Sequence, residues 1–221
     1  MPAQQHHLPV ARTARYFQLG TLSEQTRQVW FVCHGYGQLA EYFIRHFAHL
    51  TDADSALVVV APEALSRFYL QGTSGRIGAT WMTREDRLTE IEDYVAYLNQ
   101  LAAAVLTQVA PDVRVTVLGF SQGAATVSRW LAHTPFGPAH LILWAGVFPP
   151  DMEAGAAADL LRHQRLTLVC GDEDEFIKPT DLAYQQEKLQ QLGAAPEVVW
   201  FPGKHTLHAG VLRQLHGGLG H

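Results

Sequence analysis

Residues 113–133 read VRVTVLGFSQGAATVSRWLAH. As far as Phe120 the run is apolar and rich in β-branched residues, the composition of a buried strand. From Gln122 onward small and apolar residues recur at helical spacing. Between them lies Gly119-Phe-Ser-Gln-Gly123, a Gly-x-Ser-x-Gly pentapeptide at a strand-to-helix junction. A chain that turns so sharply drives its central residue, Ser121, into disfavoured backbone space, and side chains at Gly119 or Gly123 would crowd the turn. The helix N-terminus beneath Ser121 offers partial positive charge suited to an oxyanion. A serine at a helix N-cap is the plainer alternative. The pentapeptide alone leaves both readings open, and the rest of the chain must decide.

Outward from this stretch, short apolar runs alternate with longer amphipathic ones, the signature of a mostly parallel sheet with helices on both faces. Strands are expected at 14–20, 28–34, 56–62, 113–120, 140–146, 166–172 and 197–203. The gap within 14–34 is too short for a crossover helix, so its two strands are expected to form an antiparallel hairpin around TLSEQT. Ile91, Tyr94, Val95, Leu98, Leu101, Ala102, Val105 and Val109 repeat as one face of a long helix, capped by Thr83, Glu85 and Asp86 and ended by Pro111. Further helices are expected at 39–50, 122–133, 157–164, 180–192 and 206–216, while QGTSGRIG (71–78) reads as a loop. Without linker, repeat or charge block, residues 1–221 are expected to form a single α/β domain.

Composition narrows the function. Hydrophobic residues make up 48% of the chain and charged residues 17%, which excludes a disordered chain. A net charge of −5 without a Lys/Arg cluster argues against a nucleic-acid partner. Two cysteines, Cys33 and Cys170, end apolar runs and read as reduced core thiols. With no signal-like apolar segment near the start and no window approaching the roughly 18 apolar residues of a span, a cytoplasmic protein without stable membrane insertion is expected. Monomer and homodimer both stay open.

A serine nucleophile needs a histidine to take its proton and a carboxylate to orient that histidine. In a doubly wound sheet these stand on loops at the carboxyl ends of strands. His205, in PGKHTLHAG after the last expected strand, is the favoured base among twelve histidines, with His208 more suited to a helix cap. Asp174, in GDEDEFI after the preceding strand, is the favoured acid; Asp172 suits a turn, and Glu173 and Glu175 suit solvent. HTLH lacks the i, i+4 spacing and nearby ligands of a zinc site, and no metal site is expected. Two backbone N–H groups are candidates for holding an oxyanion: that of Gln122, and that of Tyr36 in the glycine turn His34-Gly-Tyr-Gly-Gln38. His34 is expected to hydrogen-bond backbone. Trp81, Met82, Phe148 and Phe176, with Tyr36, are expected to line a substrate pocket.

HGYG, GFSQGAA, GDEDEFI and PGKHTLHAGVL together resemble the α/β-hydrolase fold, and within it the phospholipase/carboxylesterase family, over about residues 14–216. The resemblance implies about seven sheet strands and puts the family's roles on Ser121 (nucleophile), Asp174 (orienter), His205 (general base) and the N–H groups of Tyr36 and Gln122 (oxyanion donors). It implies cofactor-free hydrolysis of a small carboxylic ester of short to medium chain length through an acyl-enzyme. A thioesterase or acyltransferase on the same residues is the alternative, and a non-catalytic ligand-binding relative a third. GYGQ and ATWMTRED depart from many relatives, which carry an acid after the oxyanion glycines and a Trp-Phe-Asp segment.

Overall fold

A computed structural model describes residues 2–162 and 164–218. Its main sheet has seven strands in the order β1-β3-β2-β6-β7-β8-β9. They are β1 (Tyr16–Leu19), β2 (Gln28–Cys33), β3 (Leu57–Pro62), β6 (Arg114–Phe120), β7 (His140–Trp144), β8 (Arg165–Gly171) and β9 (Glu197–Phe201). All seven coincide with expected strands. The pairs β2–β3, β2–β6, β6–β7, β7–β8 and β8–β9 are parallel. A separate two-stranded hairpin joins β4 (Ser66–Tyr69) to β5 (Ile77–Thr80).

Because successive side chains on a strand point to opposite faces, each buried strand feeds two cores. Val29, Phe31 and Cys33 of β2 face the helices α3 (Arg87–Leu106), α4 (Gln122–Leu131), α5 (Ala154–Leu161) and α6 (Pro179–Gln191) through residues such as Leu98, Trp130, Leu160 and Leu182. Trp30 and Val32 face the other way, toward Phe43, Phe47 and Leu50 around α1 (Ala40–Phe43) and α2 (Ala48–Thr51), and Leu212 and Leu215 of α7 (Ala209–Gly217). Burial on both sides explains why these strands read as unbroken apolar runs.

Several expectations need correction. β1 pairs antiparallel with β3, not with β2, so 14–34 is no hairpin. Both edges of β2 are taken by parallel partners, β3 and β6, so β1 cannot pair with it and lies instead on the outer edge of β3. Residues 77–78, expected in a loop, open β5; alternation is hard to see in a four-residue strand that contains a glycine. The helix expected at 39–50 is broken into α1, a 3-10 turn (Ile44–Phe47) and α2. α3 begins at Arg87 after Asp86, which sits at φ 47° and makes no capping bond; its carboxylate meets His7 and Thr89 instead. α5 starts at Ala154, earlier than expected, with the Glu153 carboxylate accepting from the N–H groups of Gly155 and Ala156; residue 163 of the expected 157–164 lies outside the described residues.

Two histidines are buried as neutral rings. Desolvation pulls the pKa of His34 down to about 4 and that of His140 down to about 3 from the ordinary 6.5. The unfolded chain protonates both below about 6.5 while the folded one resists. Their contribution is therefore complete above that pH and is lost as pH falls toward about 4 and 3. Each histidine should add a slope of up to about 1.4 kcal/mol per pH unit in this window, to be read from urea unfolding between neutral and acid pH.

Candidate active site

The chain order of the sheet switches direction between β2 and β6, neighbours with Cys33 opposite Gly119. The loops leaving their carboxyl ends are therefore adjacent, the usual place for a ligand in such sheets. One of these loops is the glycine turn 34–38, and the other is the turn at Ser121.

Ser121 has φ 53° and ψ −116°, one of three non-glycine residues with positive φ among those described. Its N–H donates to the Trp144 carbonyl at 2.8 Å, and its own carbonyl accepts from the Ala124 N–H at 3.0 Å. Although Ser121 occupies the N-cap of α4, its hydroxyl makes no capping bond. The plainer alternative for this serine thus lacks its defining contact. Small neighbours permit the geometry: a Cβ on Gly123 would collide with the Cys33 carbonyl oxygen, and one on Gly119 with the backbone of Gly123 and Ala124.

His205 and Asp174 come together as expected, Nδ1 to Oδ2 at 2.8 Å, with the Asp174 side chain fully buried and that of His205 16% exposed. The other carboxylate oxygen, Oδ1, accepts from the N–H groups of Phe176 (2.8 Å) and Ile177 (3.0 Å). That leaves Oδ2 to receive the Nδ1 proton of a neutral imidazole, with Nε2 free of protein partners among the described residues. The imidazole packs against the rings of Phe120 (5.0 Å between centroids, tilted) and Phe176 (4.7 Å, edge-on). His208 caps α7 by accepting from the Val211 N–H, as expected. Asp172 accepts from the Gly203 N–H and so ties the two loops together, while Glu173 and Glu175 are exposed.

β9 stands three strands from β6, and what brings its loop back was not foreseen. The Trp144 indole N–H at the end of β7 donates to the Thr206 carbonyl at 2.9 Å, beside His205. Trp144 reads in sequence only as a core residue, because the atom it holds is a backbone oxygen that carries no sequence signal.

In the 34–38 turn, the Gly35 N–H donates to Gln38 Oε1 (2.8 Å), the Gly37 N–H to the Ala79 carbonyl (2.9 Å) and the Gln38 N–H to the Gly35 carbonyl (3.2 Å). The Tyr36 N–H has no protein acceptor among the described residues. His34 uses both ring nitrogens on backbone, as expected: Nε2 accepts from the Ala64 N–H (3.1 Å), so Nδ1 carries the proton and donates to the Gly35 carbonyl (2.8 Å). In a trans peptide the C=O and the following N–H point in opposite directions, so pinning Gly35 C=O aims Tyr36 N–H out of the turn. Gln122 opens α4, where a backbone N–H has no partner within the helix.

The residues expected to line a pocket divide. Phe176 is 68% exposed and Tyr36 60%, the latter against Phe68 at 5.2 Å. Met82 and Phe148 are half-buried, Phe148 packing on the core. Trp81 is a correction: it is only 3% exposed, packs on His34 and Tyr94, and gives its indole N–H to the His34 carbonyl. It fills the space beneath the turn and lines no open surface.

Residues 31–213 match the Alpha/beta hydrolase family, and the chain belongs to that family. No curated protein matches the sequence. Among solved structures it is similar to a carboxylesterase from Mesorhizobium loti (22% identity, TM-score 0.70, covering 93% of this chain and 95% of that one). It is likewise similar to the esterase PE8 (22%, TM-score 0.69, 94% and 98%) and to acyl-protein thioesterase 2 of Zea mays (16%, TM-score 0.70, 94% and 98%). At these identities the likeness is one of fold. No helix among the described residues is long and apolar enough to cross a membrane.

The crowding at Gly123 predicts that Gly123→Ala, which drives a methyl group against the Cys33 carbonyl, destabilises the protein by about 1–3 kcal/mol in urea unfolding.

Proposed function

We propose that the chain hydrolyses carboxylic esters of short to medium acyl length, with Ser121 as nucleophile, His205 as general base and Asp174 as its orienting acid. The observation that carries this reading is Ser121: a strained, non-glycine residue on a strand-to-helix turn whose hydroxyl leaves its capping role unfilled. Strain of this kind costs about 1–3 kcal/mol and persists where a site uses it. In the first step Oγ of Ser121 bonds to the ester carbonyl carbon as Nε2 of His205 takes its proton. The oxyanion is held by the N–H groups of Tyr36 and Gln122, helped by the positive end of α4. The imidazolium returns the proton to the departing alkoxide, which leaves an acyl-Ser121. Water, deprotonated by the same nitrogen, then releases the carboxylic acid and restores the serine.

Asp174 keeps the imidazole in the Nδ1–H tautomer and stabilises the imidazolium. Its second oxygen is occupied by two backbone N–H groups, which leaves one geometry for the pair. These steps call for no metal or organic cofactor. The exposed rings of Tyr36 and Phe176 offer apolar surface for an acyl group beside the reacting atoms.

A fluorophosphonate should label the protein at Ser121, and peptide mapping that finds no label there sinks the nucleophile assignment. Ser121→Ala should lower turnover of p-nitrophenyl acetate by about a million-fold, and Asp174→Asn, by favouring the wrong tautomer, by about ten-thousand-fold. A panel of p-nitrophenyl esters from acetyl to palmitoyl, run beside acyl-thioesters, should show highest kcat/KM for short- to medium-chain oxygen esters. A clear preference for thioesters or long chains would reassign the substrate while leaving the chemistry of Ser121 intact.

A further inference from the structure

The Gln122 side chain does something the reaction scheme above does not use. Its Oε1 accepts from the Trp81 N–H at 3.1 Å and lies 3.2 Å from the Thr80 hydroxyl; its Nε2 donates to the Met82 carbonyl at 2.9 Å and lies 3.1 Å from the same hydroxyl. Trp81 N–H can only donate and Met82 C=O can only accept, so the orientation of the amide is unambiguous. The carboxamide thus grips three consecutive residues, Thr80 at the end of β5 and Trp81 and Met82 just past it.

The same strand grips the other proposed oxyanion donor. Ala79 accepts from the Gly37 N–H at 2.9 Å and donates to the Gln38 carbonyl at 3.1 Å, and the Trp81 indole holds the His34 carbonyl at 2.9 Å. Gly78 is pressed so closely on the Gly37 carbonyl that a Cβ there would collide with it. One short strand is therefore bonded on one side to the turn bearing the Tyr36 N–H and on the other to the residue bearing the Gln122 N–H.

We propose that the Gln122 carboxamide is a positioning residue: by clamping the serine turn to β5, it sets the separation of the two oxyanion donors. This rests on the oxyanion role proposed above. The side chain acts through backbone geometry and touches neither substrate nor reacting atoms. Its contribution should appear in the transition state, where the oxyanion is fully formed, and hardly at all in ground-state binding.

The test uses Gln122→Met, which keeps the length and loses the bonds, and Gln122→Glu, which can still accept from Trp81 N–H but turns a carboxylate oxygen on the Met82 carbonyl. Displacements of about 1 Å in such sites cost about 100-fold. With p-nitrophenyl acetate, Gln122→Met should therefore lose about 10- to 100-fold in kcat with KM within about twofold of wild type. Its affinity for a trifluoromethyl ketone, which mimics the tetrahedral oxyanion, should fall by the same factor. Gln122→Glu should regain activity relative to wild type as pH is lowered and its carboxyl protonates into a donor. Thr80→Val, which removes only the shared hydroxyl, gives a milder second variant should Gln122→Met melt at a much lower temperature, and should show a smaller loss of the same kind. Folded variants with kcat and ketone affinity within about twofold of wild type would overturn the proposal. Fluorophosphonate labelling separates the two readings. Wild type unlabelled at Ser121 overturns both, whereas labelling with unchanged variants overturns the positioning role alone.

Discussion

Everything around the site is arranged to hold one residue where an L-amino acid resists going. Ser121, at φ 53° and ψ −116°, is wedged between the end of β6 and the start of α4. The strand cannot retreat, because β2 and β7 pair with it on both sides. The helix cannot retreat either, because Trp130 and Val127 are buried in the core beneath the sheet. Gly119, Gly123 and Gly146 each stand where a side chain would strike backbone within or next to the turn. Local strain of about 1–3 kcal/mol is offset by this surrounding packing. The product is a hydroxyl held above the sheet with no structural duty.

A second constraint is distance. The loops carrying Asp174 and His205 leave β8 and β9, two and three strands away from β6. Their return is built from backbone contacts: a Cβ on Gly171 would strike the Gly203 and Lys204 carbonyl oxygens, Asp172 holds the Gly203 N–H, and Trp144 holds the Thr206 carbonyl. Phe120, one residue before Ser121, then packs its ring at a tilt of 50° against the imidazole that has been brought across. The polar pair and the strained serine are thus joined through an aromatic contact and a shared strand neighbour, β7.

The glycine turn 34–38 draws on a different set of buried polar groups. Burial keeps His34 neutral, so it can accept from Ala64 on one nitrogen and donate to Gly35 on the other. Next to Ala64, the buried Glu63 carboxylate is paired with Arg15 at 2.6 Å and Arg67 at 3.3 Å and accepts from the Ala40 N–H. A charge so deeply placed would be costly alone; two guanidinium groups and a backbone donor satisfy it. These bonds tie the turn to β3, the hairpin and α1, so its geometry is set by several elements at once.

Much of this was legible in the sequence because it rests on local pattern. Strands buried on both faces must be apolar runs, as β2, β3, β6, β7 and β8 are for most of their length, while the more exposed edge strands β1 and β9 were marked by β-branched and aromatic residues. A serine between two glycines at a strand-to-helix junction marks the turn, and acid and histidine on the last two strand loops follow from where a parallel sheet delivers its loops. What sequence could not carry was decided by pairing between distant segments. β1 pairs with the outer edge of β3 because both edges of its sequence neighbour β2 are occupied. The hairpin of β4 and β5 is too short and glycine-containing to alternate visibly, yet it braces the site. The side chains of Trp144, Trp81 and Gln122 bond to backbone atoms, and a backbone atom is the same at every position until the fold brings it within reach. The sequence by itself determined which chemical groups were present and the order in which the sheet would present them; tertiary structure decided which carbonyls and N–H groups they would meet, because those partners carry no residue identity to read.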